Sequence, residues 1–503
     1  MAEQRYAVVI GVDGDPSAPD PRHAKSVRNV DVVRVDPLES PLDRHAPAVK
    51  DLVGRLALMA RSAERPAAAT SRVEYLLSAV EADAVAYLGY SAGEVVSIDA
   101  TSRFDLDAVL HLLHIPEGDP RWFGHLAGDG TRTLWCAPLD RADDKVLLLA
   151  VVDPPAWLVQ LGQAGAKVLE TVWRADFAAS PAEAEIQVLT ALRAAFGRLP
   201  DEMFERCLGL YREVLESFRI VFQPVITIGE KAAQVGVHSY EALARRTLDD
   251  QSAPFAMLQV AHTWGDHFVI ERDKIILRKA LSAYASAHAN GPWDTQKPVS
   301  VNVSVRSLLD DSYVDTLREA IPAFHLDADK VTLEISEQDA IEPWDGEQWP
   351  EAPHTYFHKR LAAIVRDLGV AFAVDDFGAG YASLSRMSEL PLTQIKVDRA
   401  ILHHRQAVLE LDLVVAVARD THDRVVIVEG VDAESPLTLQ QIHKRGIKHV
   451  QGHITGERGT PDLRPLTTEL RKDIAARVRG DDGHRPATLT RTEPLPLRRE
   501  AAS

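Results

Sequence analysis

The second half of the chain carries a series of oxygen- and nitrogen-bearing side chains, each at or near the end of a short β-like run. They are Glu241, Asn302, Glu334, the pair Asp375-Asp376, Lys396, Glu429 and Gln451. Five carboxylates gathered on one face would repel one another and raise one another's pKa. A purely structural arrangement would use apolar or paired residues there. Oxygen donors without a thiolate select hard cations, so one or two Mg²⁺ or Mn²⁺ ions are the expected cofactor, with Ca²⁺ as the candidate inhibitory substitute. Two such ions about 3.5–4 Å apart would neutralise the carboxylates, hold a phosphodiester and generate hydroxide.

For these groups to meet, the strands that carry them must share a face. From Ile220 onward, strand candidates at 220–226, 235–241, 299–303, 331–335, 371–375, 394–397, 425–429 and 448–451 alternate with helical stretches. One such stretch places Ile275, Ile276, Lys279, Ala280, Ala283 and Ala287 on one side. Eight strands in this order predict an α/β fold, a closed (β/α)8 TIM-like barrel whose C-terminal strand ends converge on a single site. The segment 341–353, rich in Pro, Trp and acidic residues, follows the Glu334 strand and is a long loop on that face. It is open to reading as a lid, a dimer contact or, more plainly, a surface excursion.

The first half reads differently. After an N-terminal segment, 1–47, helices are expected at about 48–64 and 70–81, strands at 84–90 and 94–98, a helix at 105–114, strands at 131–137 and 145–152, and a helix at 155–175. This is α+β logic, with helices covering an antiparallel sheet. The order, and the texture of Thr133–Leu139 followed by Val146–Val152, resembles a GAF-type sensory domain spanning 48–178. The resemblance implies a pocket for an unidentified ligand; a packing or dimerisation module without one is the plainer alternative. Cys136, in a strand-like run, reads as a buried structural thiol. A helical connector, 179–214, follows, with Ser180-Pro181 as a helix start and Gly197 as a stop. The barrel occupies 215–462, and 463–503 reads as a largely disordered tail.

Composition limits the partners. There are 56 Lys+Arg against 74 Asp+Glu, a net charge of −18, which opposes charge-driven binding to long nucleic acid. The apolar run Val146–Val152 ends at Asp153, well short of the ~20 residues a membrane span needs. The two cysteines make no disulfide framework, and Met1–Tyr6 lacks the basic start of a secretory signal. A cytoplasmic location is expected.

The motifs, taken in order, resemble the EAL domain of cyclic di-GMP phosphodiesterases. They are Phe222-Gln223-Pro224-Val225, Tyr240-Glu241-Ala242-Leu243-Ala244-Arg245, Val301-Asn302-Val303-Ser304, Leu333-Glu334-Ile335-Ser336-Glu337, Asp375-Asp376-Phe377-Gly378-Ala379-Gly380, Ile395-Lys396-Val397-Asp398-Arg399, Val428-Glu429-Gly430-Val431 and Val450-Gln451-Gly452. The resemblance implies hydrolysis of cyclic di-GMP to linear pGpG and often a homodimer. It implies Glu241, Asn302, Glu334, Asp375, Asp376 and Glu429 as metal ligands, and Lys396 beside the attacking water. Glu429 is also a candidate base, and Gln451 would hold the ion-bound water network. Gln223, Arg245 and Asp398 would contact substrate, Arg245 at a phosphate. Glu337, with Gly378, Gly380 and Asp432, would support the loop after Asp376.

Three departures from the pattern stand out. Asp432 occupies a position where the family usually has Glu, His453-Ile454-Thr455-Gly456 replaces the usual aromatic pair and Arg/Lys-Pro, and the 341–353 segment is longer than usual. These keep a second reading open: an EAL-fold receptor or scaffold that binds without turnover. The retained ligand set favours the enzyme. No Gly-Gly-Asp/Glu-Glu-Phe segment is present, so synthesis of the nucleotide is not expected.

Overall fold

The computed structural model describes residues 82–91, 94–109, 112, 125–128, 130–142, 145–155, 158–159, 180–197, 199–230, 234–249, 252–343, 347–378, 390–420, 424–432, 435–455 and 459–480. The chain divides into two compact units, Met1–Cys207 and Leu208–Ser503. The division falls inside the helix Asp201–Ser217, within the connector expected at 179–214.

The first unit contains an antiparallel sheet of five strands: β1 (Ala84–Ser91), β2 (Glu94–Ala100), β3 (His125–Gly128), β4 (Thr133–Ala142) and β5 (Lys145–Val152), in the order β2-β1-β5-β4-β3. Period-two alternation puts Ala84, Ala86, Leu88, Leu134, Cys136, Ala150 and Val152 into one apolar cluster, closed by Val109 and Leu112. β5, the most apolar run, takes the central position, paired with β1 and β4. Burial pushes the Cys136 thiol up to about 12, so it packs as a structural group. The short strand β3 was not anticipated. The N-terminal segment 1–47, the helices expected at 48–64 and 70–81, and most of that at 155–175 lie outside the described residues. The described sheet agrees with the expected strands, but a GAF-like identity finds no support. The helix Pro181–Phe196 begins as expected: Ser180 Oγ accepts from the Glu183 amide at 3.3 Å, and Gly197 ends it at φ 76°.

The second unit is a closed barrel. Its strands are β6 (Arg219–Ile228), β7 (Val235–Arg245), β8 (Val299–Val303), β9 (Val331–Ser336), β10 (Ala371–Phe377), β11 (Gln394–Val397), β12 (Val425–Val428) and β13 (His449–Val450). β7 through β13 run parallel, whereas β6 is antiparallel to both its neighbours, β7 and β13. The fold is therefore TIM-like with a reversed first strand. The reason is local: only residues 229–234 separate β6 from β7, too few for the crossover that parallel pairing requires. Among the described residues, helices bridge most of the other strands, the longest being Asp266–Ala289, which buries Phe268, Leu277, Leu281 and Tyr284. The parallel strands are nearly continuous apolar runs because both faces are covered, as in Val331–Ile335, all buried.

The expected tail begins later than 463. Leu463 and Leu466 are buried, and Thr468–Arg479 is a helix capped by Thr467 Oγ1 and packed through Ile474, Ala475 and Val478. The preceding segment is tied to β7, since the Tyr240 hydroxyl donates to the Arg464 carbonyl at 2.9 Å. The apolar residues at Ile474, Ala475 and Val478 supply one short stripe, enough for a helix docked on a barrel but too little to stand out in an Arg-rich run. Residues 481–503 lie outside the described residues. Among the described residues no helix is long and apolar enough to cross a membrane.

Candidate active site

The four-residue strand β11 sets the centre of the site. Alternation along a barrel strand turns Lys396 inward between the buried Ile395 and Val397, and the lysine is 1% exposed. Its Nζ lies 2.8 Å from Glu334 Oε2, 2.8 Å from Glu429 Oε1, 3.1 Å from Asp375 Oδ1 and 3.2 Å from Glu241 Oε2. Strand register brings the other groups in. Gln223 stands opposite Glu241 across β6 and β7, and Asn302 opposite Glu334 across β8 and β9. Asn302 Nδ2 donates to Glu241 Oε1 at 3.0 Å, and Gln451 Nε2 donates to Glu241 Oε2 at 2.6 Å and to Gln223 Oε1 at 3.3 Å. Glu241 is not a strand end: β7 runs on to Arg245 because the antiparallel β6 pairs with it as far as Arg219.

Two adjacent residues on an ordinary strand face opposite ways, so Asp375 and Asp376 could not both enter the site from regular pairing. The structure resolves this with a bulge. Val374 pairs with Ile395 and Phe377 with Val397, leaving Asp375 and Asp376 together opposite Lys396. Asp376 takes the left-handed conformation, φ 53°, which Asp tolerates better than most residues. Two carboxylate triads result, Glu241–Glu334–Asp375 and Asp375–Asp376–Glu429, each with oxygens within 4.8 Å of one another. They share Asp375.

Four carboxylates thus contact one buried ammonium, with Asp376 as a fifth beside Asp375. Burial, with Lys396 opposing it, drives Glu334 well above the usual carboxylate range and Glu429 to about 8. Burial and the neighbouring Asp375 raise Asp376 to about 6. Burial alone would raise Glu241 too, but Lys396, Gln451 and Asn302 outweigh it and hold its carboxyl low. Lys396 is held well above its ordinary value, because the four carboxylates overcome its burial. One lysine does not balance this cluster. The donors are all oxygen, and Gln451 Oε1 is buried without a hydrogen-bond partner, as suits a carbonyl meant for an ion-bound water. The residues fit one or two hard divalent cations.

The cluster forms the floor of a cavity of about 320 Å³ that Gln223 and Gln451 also line. A second cavity of about 290 Å³ shares Leu243 with it and is lined by Arg245, Asn302, Arg272 and Ser304. Arg245 therefore faces the second cavity, with its Nη1 donating to the Ala244 carbonyl at 2.9 Å. Glu337 Oε2 accepts from the Gly378 amide at 2.5 Å, fixing the start of the loop after β10. Gly378 has φ +99°, and a Cβ there would lie 2.1 Å from Ile401 Cδ1. Gly380 lies outside the described residues. Asp398 does not line the first cavity; its Oδ1 caps the helix Arg399–His403, accepting from the Ala400 amide at 2.6 Å. Asp432 pairs with Arg399 at 3.3 Å and with Ser435. Arg399, the last residue of the Ile395–Arg399 motif, and His453, the first of the run that departs from the family pattern, also line the first cavity; the sequence alone assigned neither a role.

Residues 211–457 match the family model of the EAL domain. Among curated proteins, the cyclic di-GMP phosphodiesterase NbdA of Pseudomonas aeruginosa is 29% identical over 245 residues, covering 48% of this chain and 28% of that protein. The oxygen sensor protein DosP of Escherichia coli is 28% identical over 239 residues, covering 46% of this chain and 27% of that protein. The match thus spans little more than a quarter of each relative. Among solved structures, the PaMucR phosphodiesterase in complex with c-di-GMP is 23% identical, covers 52% of this chain and 98% of that chain, and superposes with a TM-score of 0.40.

Proposed function

We propose that this chain, whose barrel is an EAL domain with relatives among cyclic di-GMP phosphodiesterases, is itself a phosphodiesterase that opens cyclic di-GMP to linear pGpG. The observation that supports it most is the ring of carboxylates on Lys396, completed by a bulge that turns both Asp375 and Asp376 inward. Glu241, Asn302, Glu334, Asp375, Asp376 and Glu429 would hold one or two Mg²⁺ or Mn²⁺ ions, which supply charge neutralisation and an acidified water. In the reaction one P–O bond forms to water and one ester P–O bond breaks, the sugar oxygen leaving as a hydroxyl with a proton taken from solvent. Lys396 keeps its proton and offers fixed positive charge beside the attacking oxygen. Glu429, 18% exposed at the cavity floor, accepts the water's proton. Gln451 and Asn302 orient Glu241, Gln223 contacts the substrate, and Arg245 takes a phosphate from the second cavity.

The test is incubation of the purified chain with cyclic di-GMP and Mg²⁺ or Mn²⁺, followed by separation of the nucleotides. Accumulation of pGpG is expected. Tight binding without pGpG would instead make the protein a receptor. The first unit is proposed to tune the rate; comparison with a chain lacking residues 1–180 should show a changed rate, and an unchanged one removes that role.

A further inference from the structure

The first cavity has an uneven charge distribution. Its floor is anionic, and Lys396 lies beneath it with its hydrogens directed at four carboxylates. Among the described residues lining the cavity, Arg399 is the one Lys or Arg side chain. It is also a placed side chain. Gly430, at φ +62°, lies so close that a Cβ there would be 2.5 Å from Arg399 Cβ and 2.6 Å from Cγ and Cδ. The arginine stem is therefore laid along the Gly430 backbone, next to Glu429. Its head is drawn by Asp432, whose Oδ2 is 3.3 Å from Nη2. Asp432 is itself oriented: its amide donates to Ser435 Oγ at 2.9 Å, and that hydroxyl donates back to Oδ1 at 3.2 Å. The Arg399 side chain is 52% exposed against 18% for Asp432, so the guanidinium stands at the open rim with its counter-charge behind it.

We infer that Arg399, held between Gly430 and Asp432, is a positioning residue that takes the second, uncut phosphodiester of a cyclic dinucleotide. The inference rests on the reading of this site as a cyclic di-GMP site. A cyclic dinucleotide brings two phosphodiesters. The one to be cut belongs on the carboxylate floor with its cations, reached by Arg245 from the second cavity; the other needs a cation away from that floor. The planar fork of an arginine matches a phosphodiester's two free oxygens. Asp432 keeps the fork at the rim when no ligand is bound, so less side-chain freedom is lost on binding. The shorter carboxylate at 432 thus acts on Arg399.

The experiment uses the full chain with Mn²⁺ for steady-state kinetics and with Ca²⁺ for calorimetric titration of cyclic di-GMP. Arg399→Gln should raise KM and Kd about tenfold to a hundredfold, the range of a hydrogen bond to a charged group, with kcat within about twofold and the melting temperature unchanged. Arg399→Lys should fall between, keeping charge without the fork. Asp432→Asn should raise KM by a smaller factor, and should add nothing when combined with Arg399→Gln. KM should also become less sensitive to salt in Arg399→Gln. Wild-type KM and Kd in Arg399→Gln, while the parent still cleaves or binds cyclic di-GMP, would overturn the inference and leave the proposed function standing. A fall in kcat at unchanged KM and Kd would overturn it as well, in favour of a structural role. A parent chain that neither binds nor cleaves cyclic di-GMP would remove both.

Discussion

Two buried ionic clusters in the barrel invite comparison, because one is closed and the other is not. Asp273, 4% exposed, accepts from Arg272 Nε at 2.8 Å, from the Ser304 amide at 2.9 Å, and from the hydroxyls of Ser304 and Ser307 at 2.7 Å each. Asp273 meets the guanidinium directly, Asp339 is a second carboxylate acting on it, and the remaining lone pairs of Asp273 are filled by neutral donors. Around Lys396 four carboxylates meet one ammonium, a fifth lies beside them, and several are driven toward the protonated state. The first cluster needs nothing further. The second is complete only with added positive charge, and that imbalance separates a binding site from an internal strut more clearly than burial does, since both clusters are buried.

The comparison can be broken in order of expected effect. Glu241→Ala removes the carboxylate that Lys396, Asn302 and Gln451 all contact; turnover should fall by at least about a thousandfold, of the order of losing key electrostatic groups, with the circular dichroism spectrum retained. Unchanged turnover would dismiss the site. Asp273→Ala should do the opposite, costing about 3–5 kcal/mol in urea unfolding because Arg272 and two serines lose their partner, while kcat at low temperature stays within a few-fold. A silent Asp273→Ala would mean that the closed cluster is not a strut.

A third test concerns His238 and His449, whose rings meet with centroids 4.3 Å apart and planes tilted by 50°. Burial, with His238 and Lys448 nearby, lowers His449 to about 4. The unfolded imidazole titrates near 6.5, so between those values the unfolded chain binds more protons than the folded one. This contribution is full above about pH 6.5 and is lost as pH falls toward 4. Relative to His449→Gln, the parent should lose about 1–2 kcal/mol over that window, allowing for the ring's partial exposure; a constant difference between the two would refute it. The smallest effect on stability concerns Glu429→Gln. In metal-free protein at neutral pH, removing one of the crowded carboxylates should stabilise by about 0.5–2 kcal/mol while abolishing turnover, and a thermal melt in chelator measures it. Destabilisation would show that the cluster is balanced after all.

Much of the barrel was legible because its strands are apolar runs bounded by polar side chains. β8 and β11 match their expected limits, and the carboxylates stand out as interruptions of such runs. The reversal of β6 was legible in principle from the short 229–234 connection, but eight strands followed by helices suggested a uniform repeat. The left-handed turn at Asp376 was not legible, since no residue type there demands it. Only the presence of two adjacent acids on one strand, where alternation would waste one, hinted at it. The helix Thr468–Arg479 was missed because its apolar stripe is short and lies among arginines. The placement of Arg399 depends on Gly430, a contact between distant residues that spacing does not encode.

The bulge at Asp375-Asp376 has a consequence in the language of insertions and deletions. Side-chain substitutions near it alter one group at a time, but a single-codon loss anywhere between Ala373 and Phe377 would restore ordinary pairing with β11. The strand would then be more regular, with one acid expelled or missing. At this point in the gene, a deletion that tidies the sheet would disarm the site.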